Sequence, residues 1–175
     1  NAWWPGLKPR RNRSGQTLSG TVSNAMLNTI LHGTPSDHTP LLIAHGLYGS
    51  AKNWGAVAKR LSIDRQVVAV DMRNHGDSDW QGTHSYQDMA GDLGDVISQV
   101  GGPVDLLGHS MGGKAAMVLA LKHPELVQRL VVADIAPVTY SHTQSQHIDA
   151  MRAIDLGMVE RRSDAGETLD PEVRN

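Results

Sequence analysis

Between residues 26 and 140 the chain alternates short, largely apolar runs with longer stretches of helical spacing. That alternation predicts a parallel sheet covered by helices on both faces, an α/β architecture. Four runs, 41–44, 67–70, 104–107 and 130–133, are opened by Pro40, Gln66, Pro103 and Arg129 and read as buried strands. A weaker run over 27–31 predicts an edge strand. The stretches 51–61, 85–100 and 111–123 have helical length. In the second of these, Tyr86, Met89, Ala90, Leu93, Val96, Ile97 and Val100 follow three- and four-residue steps, and Ser85 with Asp88 forms a capping box with Asp in the Glu place. After Tyr140 the chain turns polar, and a helix is predicted over 146–154.

Residues 1–25 carry no such periodicity. Lys8, Arg10, Arg11 and Arg13 lie there among Ser, Gly, Asn and Pro, and the first acidic residue is Asp37, so the segment reads as a tag or leader outside the fold. Ser23-Asn24-Ala25 before Met26 matches the remnant of a cleaved expression tag. The rival reading is a transit peptide, which the Arg-rich, acid-free composition suits and Pro5, Gly6, Pro9 and Gly15 oppose.

Composition narrows the classes of function. With 175 residues and 39% hydrophobic content the chain can build one core. Sixteen Lys and Arg against eighteen Asp and Glu give a net charge of −2, which offers no field for nucleic acid or an anionic membrane. Cysteine is absent, which removes disulfides, thiolate nucleophiles and cysteine-ligated zinc and suits a reducing, cytoplasmic setting. The longest apolar stretch, 115–121, falls far short of the roughly 20 residues that membrane insertion needs.

The chemistry centres on Gly108-His109-Ser110-Met111-Gly112, a G-x-S-x-G directly after a predicted strand and before a helix. This is the setting of a nucleophile elbow, in which a tight, strained turn lifts the serine above the sheet edge and tolerates only glycine two residues to either side. The Met111 N–H then opens a helix, where free donors and the positive dipole end can meet an oxyanion. Gly108-x-x-x-x-Gly113-Lys114 also matches most of a phosphate-binding loop, but Ala115 stands where that loop needs a Ser or Thr oxygen for magnesium. A blander alternative is that these glycines only pack a helix on a strand.

A second element is His45-Gly46-Leu47-Tyr48-Gly49-Ser50 at the end of the 41–44 run. It places the Leu47 N–H where an acyl-transfer enzyme needs its other oxyanion donor; an ordinary glycine turn is the alternative. Asp134 closes the 130–133 run at the same carboxyl edge as Ser110, where it either orients a histidine or caps the turn before Pro137. Asp71 opens the polar turn 72–78 and reads as its organiser through side-chain bonds to backbone.

Together with Asp71-Met72-Arg73-Asn74-His75-Gly76, Gly108 to Lys114, and Asp134-Ile135-Ala136-Pro137-Val138, the His45 to Ser50 stretch resembles the small α/β-hydrolase esterases, above all the YbfF-type bacterial branch, in order and spacing. The resemblance runs from about residue 27 to 140. It implies the α/β-hydrolase fold, with 26–140 as the N-terminal part of the core and 141–175 as the start of a helical cap. It further implies a serine hydrolase of short acyl esters or acyl thioesters without cofactor or metal, with Ser110 and Asp134 catalytic and Leu47 and Met111 at the oxyanion hole. In such enzymes the base histidine follows the last strand, well beyond the nucleophile, and nothing here matches it. His109 adjoins the elbow and points away from Ser110, His45 and His75 belong to turns, and His142 and His147 fall where the cap begins, so each reads as a polar surface or turn residue. The expectation is an incomplete record of a longer protein, or else a non-catalytic binding protein or inactive fragment on the same fold.

Overall fold

Alternation within the apolar runs decides the layers. In the computed structural model, which describes residues 27–139, 145–161 and 163–165, strands β2 (Leu41–Ala44) and β3 (Val67–Val70) are buried at every position. Leu42, Ala44, Val68 and Val70 face one core and Leu41, Ile43, Val67 and Ala69 face another. A strand sends successive side chains to opposite faces, so continuous apolarity produces two cores, one above and one below the sheet.

The first core is closed by α2 (Tyr86–Val100) and α3 (Met111–Lys122), through Met89, Leu93, Val96 and Ile97 and through Met111, Ala115, Ala116 and Leu119. The second is closed by Ala51 and by Ala58 of α1 (Gly55–Leu61). The sequence predicts one helix over 51–61, whereas the chain first makes a 3-10 turn, Ala51–Trp54, and becomes α-helical at Gly55. The capping box of α2 is present: Ser85 Oγ accepts from Asp88 N–H at 3.1 Å, and Asp88 Oδ2 accepts from Ser85 N–H at 3.3 Å. Such a cap contributes about 1 kcal/mol.

With β1 (Thr29–His32), β4 (Val104–His109) and β5 (Val127–Ala133), the five strands lie in the order β1-β3-β2-β4-β5. β1 pairs antiparallel with β3 and all other neighbours are parallel. The edge strand expected over 27–31 lies at the edge two residues later, and Leu27 joins the core instead. One expectation fails. β5 is not a buried strand: Leu130 is 37% and Val131 51% exposed, because β5 is outermost and pairs only with β4 among the described residues. At the opposite strand ends, Asp105 accepts from Arg65 Nη1 at 2.7 Å and from Arg129 Nε and Nη2 at 2.8 and 2.6 Å. Burial pushes this carboxyl up, but the bonds from Arg129 and Arg65 outweigh it and hold the pKa below the usual range.

The chain divides into two compact units between Pro137 and Val138. The second contains α4 (Ser145–Arg152), against the predicted 146–154, and a 3-10 turn, Leu156–Met158. The proposed leader 1–25, His142 and the side chain of His147 lie outside the described residues. Among the described residues no helix is long and apolar enough to cross a membrane.

Candidate active site

Strand β4 and helix α3 meet at Ser110 with no intervening loop, and the backbone there is forced to φ 50°, ψ −114°. A side chain rarely adopts that left-handed region, and here three hydrogen bonds impose it. Ser110 N–H donates to Ala133 O of β5 at 3.0 Å, Gly112 N–H to His45 O at 3.1 Å, and Lys114 N–H to Ser110 O at 3.1 Å. The flanking glycines answer to space. A Cβ on Gly108 would lie 2.5 Å from Gly112 O, and one on Gly112 would lie 2.5 Å from Ala44 O and 2.6 Å from His45 O. Ser110 is half-buried, and among the described residues its hydroxyl makes no hydrogen bond.

The segment after β2 folds against this elbow. Gly49 N–H donates to Gly46 O at 3.0 Å, closing a turn in which Tyr48 takes φ 59°. Gly46 packs so closely that a Cβ on it would sit 3.1 Å from Ser110 Cβ. Within the turn the Leu47 N–H donates to no described residue, and neither does the Met111 N–H at the first position of α3. Each segment that touches the serine therefore carries a backbone donor that is unused among the described residues.

His45 holds the turn in place. Its ring is buried, Nε2 accepts from Met72 N–H at 2.9 Å, and Nδ1 lies 2.7 Å from Gly46 O. Since Nε2 accepts, Nδ1 carries the proton and donates to the Gly46 carbonyl, so the ring is neutral. Burial lowers its pKa, and His75, 5.2 Å away between ring centroids, adds to this. The sequence places His45 in a turn as a polar residue; it is instead a core histidine bridging β2, the Gly46 turn and the segment after β3. Its partner lies 27 positions away, so no local pattern reveals it.

Asp71 performs the expected structural task. Its carboxylate accepts from Ala51 N–H at 2.7 Å, Asn28 Nδ2 at 2.8 Å and Asp77 N–H at 3.0 Å. Burial raises its pKa, yet these donors prevail and hold it below the usual range. The same loop is tied to α2 by Arg73, whose Nε and Nη2 donate to Asp92 Oδ2 and Oδ1 at 2.6 and 2.7 Å. The Asp92 bonds raise the Arg73 pKa and keep the buried guanidinium charged.

Asp134 follows β5 with φ 56° and an exposed side chain. His109 Nε2 lies 3.6 Å from its Oδ2, and the His109 ring rests against Trp54 at 5.9 Å. The fold thus brings Ser110, Leu47, Met111 and Asp134 to one carboxyl edge of the sheet. Among the described residues no histidine hydrogen-bonds Ser110, and no three His, Asp or Glu side chains gather as a metal site.

A family model described as the alpha/beta hydrolase fold matches residues 39–165. The chain is 38% identical over 170 residues to the sn-1-specific diacylglycerol lipase ABHD11 of Danio rerio, covering 94% of this chain and 54% of that one. It is 37% identical over 135 residues to esterase YbfF of Escherichia coli K12, covering 76% and 53%. Among solved structures, a marine microorganism esterase superposes with a TM-score of 0.73 at 38% identity, over 83% of this chain and 57% of its own. The chain spans about half the length of the curated relatives it matches. Elbow, sheet order and the match across most of the sequence agree, and the chain belongs to the α/β-hydrolase fold family.

Proposed function

We propose that Ser110 is the nucleophile of a hydrolase that cleaves short acyl esters or acyl thioesters through an acyl-serine intermediate. The observation that carries this reading is the pair of N–H donors, Leu47 and Met111, on the two segments that touch Ser110, both unused among the described residues. Donors fixed by the fold, rather than recruited during reaction, are what a developing oxyanion requires. The names of the Danio rerio lipase and the Escherichia coli esterase both describe ester hydrolysis, which supports the oxygen-ester branch.

In the proposed sequence a histidine outside the residues described takes the Ser110 proton as Oγ attacks the acyl carbonyl. The carbonyl oxygen, now an oxyanion, accepts from Leu47 and Met111. Asp134 stabilises the imidazolium, which returns its proton to the leaving alcohol or thiol. Water, deprotonated by the same histidine, then attacks the acyl-serine, and the imidazolium gives that proton to Ser110 Oγ as the acid leaves. No cofactor or metal enters this scheme. Ser110→Ala in the full-length protein carrying this sequence is expected to abolish turnover of p-nitrophenyl acetate while leaving the unfolding midpoint unchanged; turnover at the wild-type rate would overturn the assignment.

A further inference from the structure

His109 and Asp134 end neighbouring parallel strands: the Cα of His109 pairs with that of Ala133, the residue before Asp134. The imidazole is held in place on two sides. Its ring packs on Trp54, and Gly46 leaves it room, since a Cβ there would lie 2.8 Å from His109 Nδ1. Asp134 is the opposite case. Its side chain is 85% exposed, and among the described residues His109 alone reaches its carboxylate, at 3.6 Å from Nε2 to Oδ2. An exposed carboxylate rotates among its staggered wells, whereas an acid that orients a base must keep one oxygen directed at it.

We infer that His109 is a positioning residue that engages Asp134 Oδ2 and so presents Oδ1 to the base histidine; the inference rests on the serine-hydrolase reading above. The 3.6 Å separation is longer than a hydrogen bond, and catalytic contacts of this kind tighten when the remaining partners bind. His109 touches neither the serine hydroxyl nor the oxyanion donors through any hydrogen bond, so it acts through Asp134.

The test is a set of variants in the full-length protein with p-nitrophenyl acetate as probe. His109→Phe keeps the ring on Trp54 but has no N–H. It is expected to lower kcat about tenfold with KM unchanged within about twofold, the effect of one lost hydrogen bond on a transition state. His109→Gln, whose amide reaches as far as Nε2, is expected to restore most of the rate, and His109→Asn, too short, is not. In an Asp134→Asn background His109→Phe is expected to cost nothing further. A wild-type kcat in His109→Phe, equal losses in Gln and Asn, or additive losses in the double variant each overturn the inference. Should His109→Phe fail to fold, the Gln and Asn pair decides alone. Ser110→Ala separates the two levels: if it retains turnover, the serine reading and this inference fall together, and if it is inactive while the His109 variants behave as wild type, only this inference falls.

Discussion

His45 accepts a hydrogen bond from the Met72 backbone N–H at 2.9 Å and so joins the end of β2 to the chain leaving β3. The other ring nitrogen holds the Gly46 carbonyl, one bond from the Leu47 N–H. The placement of the proposed oxyanion donor therefore depends on a buried side chain. His45→Ala removes two buried hydrogen bonds and leaves a cavity, and is expected to destabilise the fold by about 2–4 kcal/mol. Urea unfolding measures this, and a kcat loss exceeding the loss of folded protein would show the donor displaced.

The same ring predicts a pH dependence. Burial holds the folded-state pKa of His45 below the ordinary value of 6.5, and His84 is shifted in the same direction. Below pH 6.5 the unfolded chain binds protons that the native rings refuse, so this contribution is fully present above pH 6.5 and declines as pH falls below it. His45→Gln is expected to flatten that decline. Unfolding midpoints of the two proteins measured from pH 8 to pH 5 should converge toward the acid side; parallel curves would contradict a neutral, buried His45.

Gly112 is held between the elbow and the end of β2. Gly112→Ala places a Cβ 2.5 Å from Ala44 O, a backbone atom that cannot yield cheaply. A destabilisation of about 3 kcal/mol is expected by urea unfolding. A loss under about 0.5 kcal/mol, the usual range for an exposed site, would show that the turn yields readily to a Cβ.

Asp92 faces Arg73 with both side chains buried, at 1% and 8% exposure. Asp92→Asn keeps the shape and removes the countercharge, leaving Asp88 at 3.6 Å as the one carboxylate among the described residues to compensate Arg73. Breaking a buried pair in this way costs about 3–5 kcal/mol. Thermal unfolding should report the loss, and proteolysis should cut first between residues 73 and 85.

The sheet was legible because its strands are short apolar runs closed by turn residues, and a two-faced strand has no other simple pattern. Ser110 was legible for a related reason: the turn admits only glycine at 108 and 112, so the constraint is written in residue types. The exposure of β5 among the described residues was not, since Leu130 and Val131 read alike whether or not a neighbour covers them. The role of His45 was hidden by the distance in sequence to Met72. Asp92 lies within the amphipathic pattern of α2 as a charged residue on the buried side, a conflict that only the partner Arg73, on a different element, resolves.

An activated nucleophile at Ser110 reacts with a fluorophosphonate. The decisive measurement treats the full-length protein with that reagent and maps the adduct by peptide mass spectrometry, with Ser110→Ala alongside. One adduct is expected, on the peptide containing Ser110, and none in the variant. No adduct on Ser110, or an adduct that persists in Ser110→Ala, would overturn the assignment of Ser110.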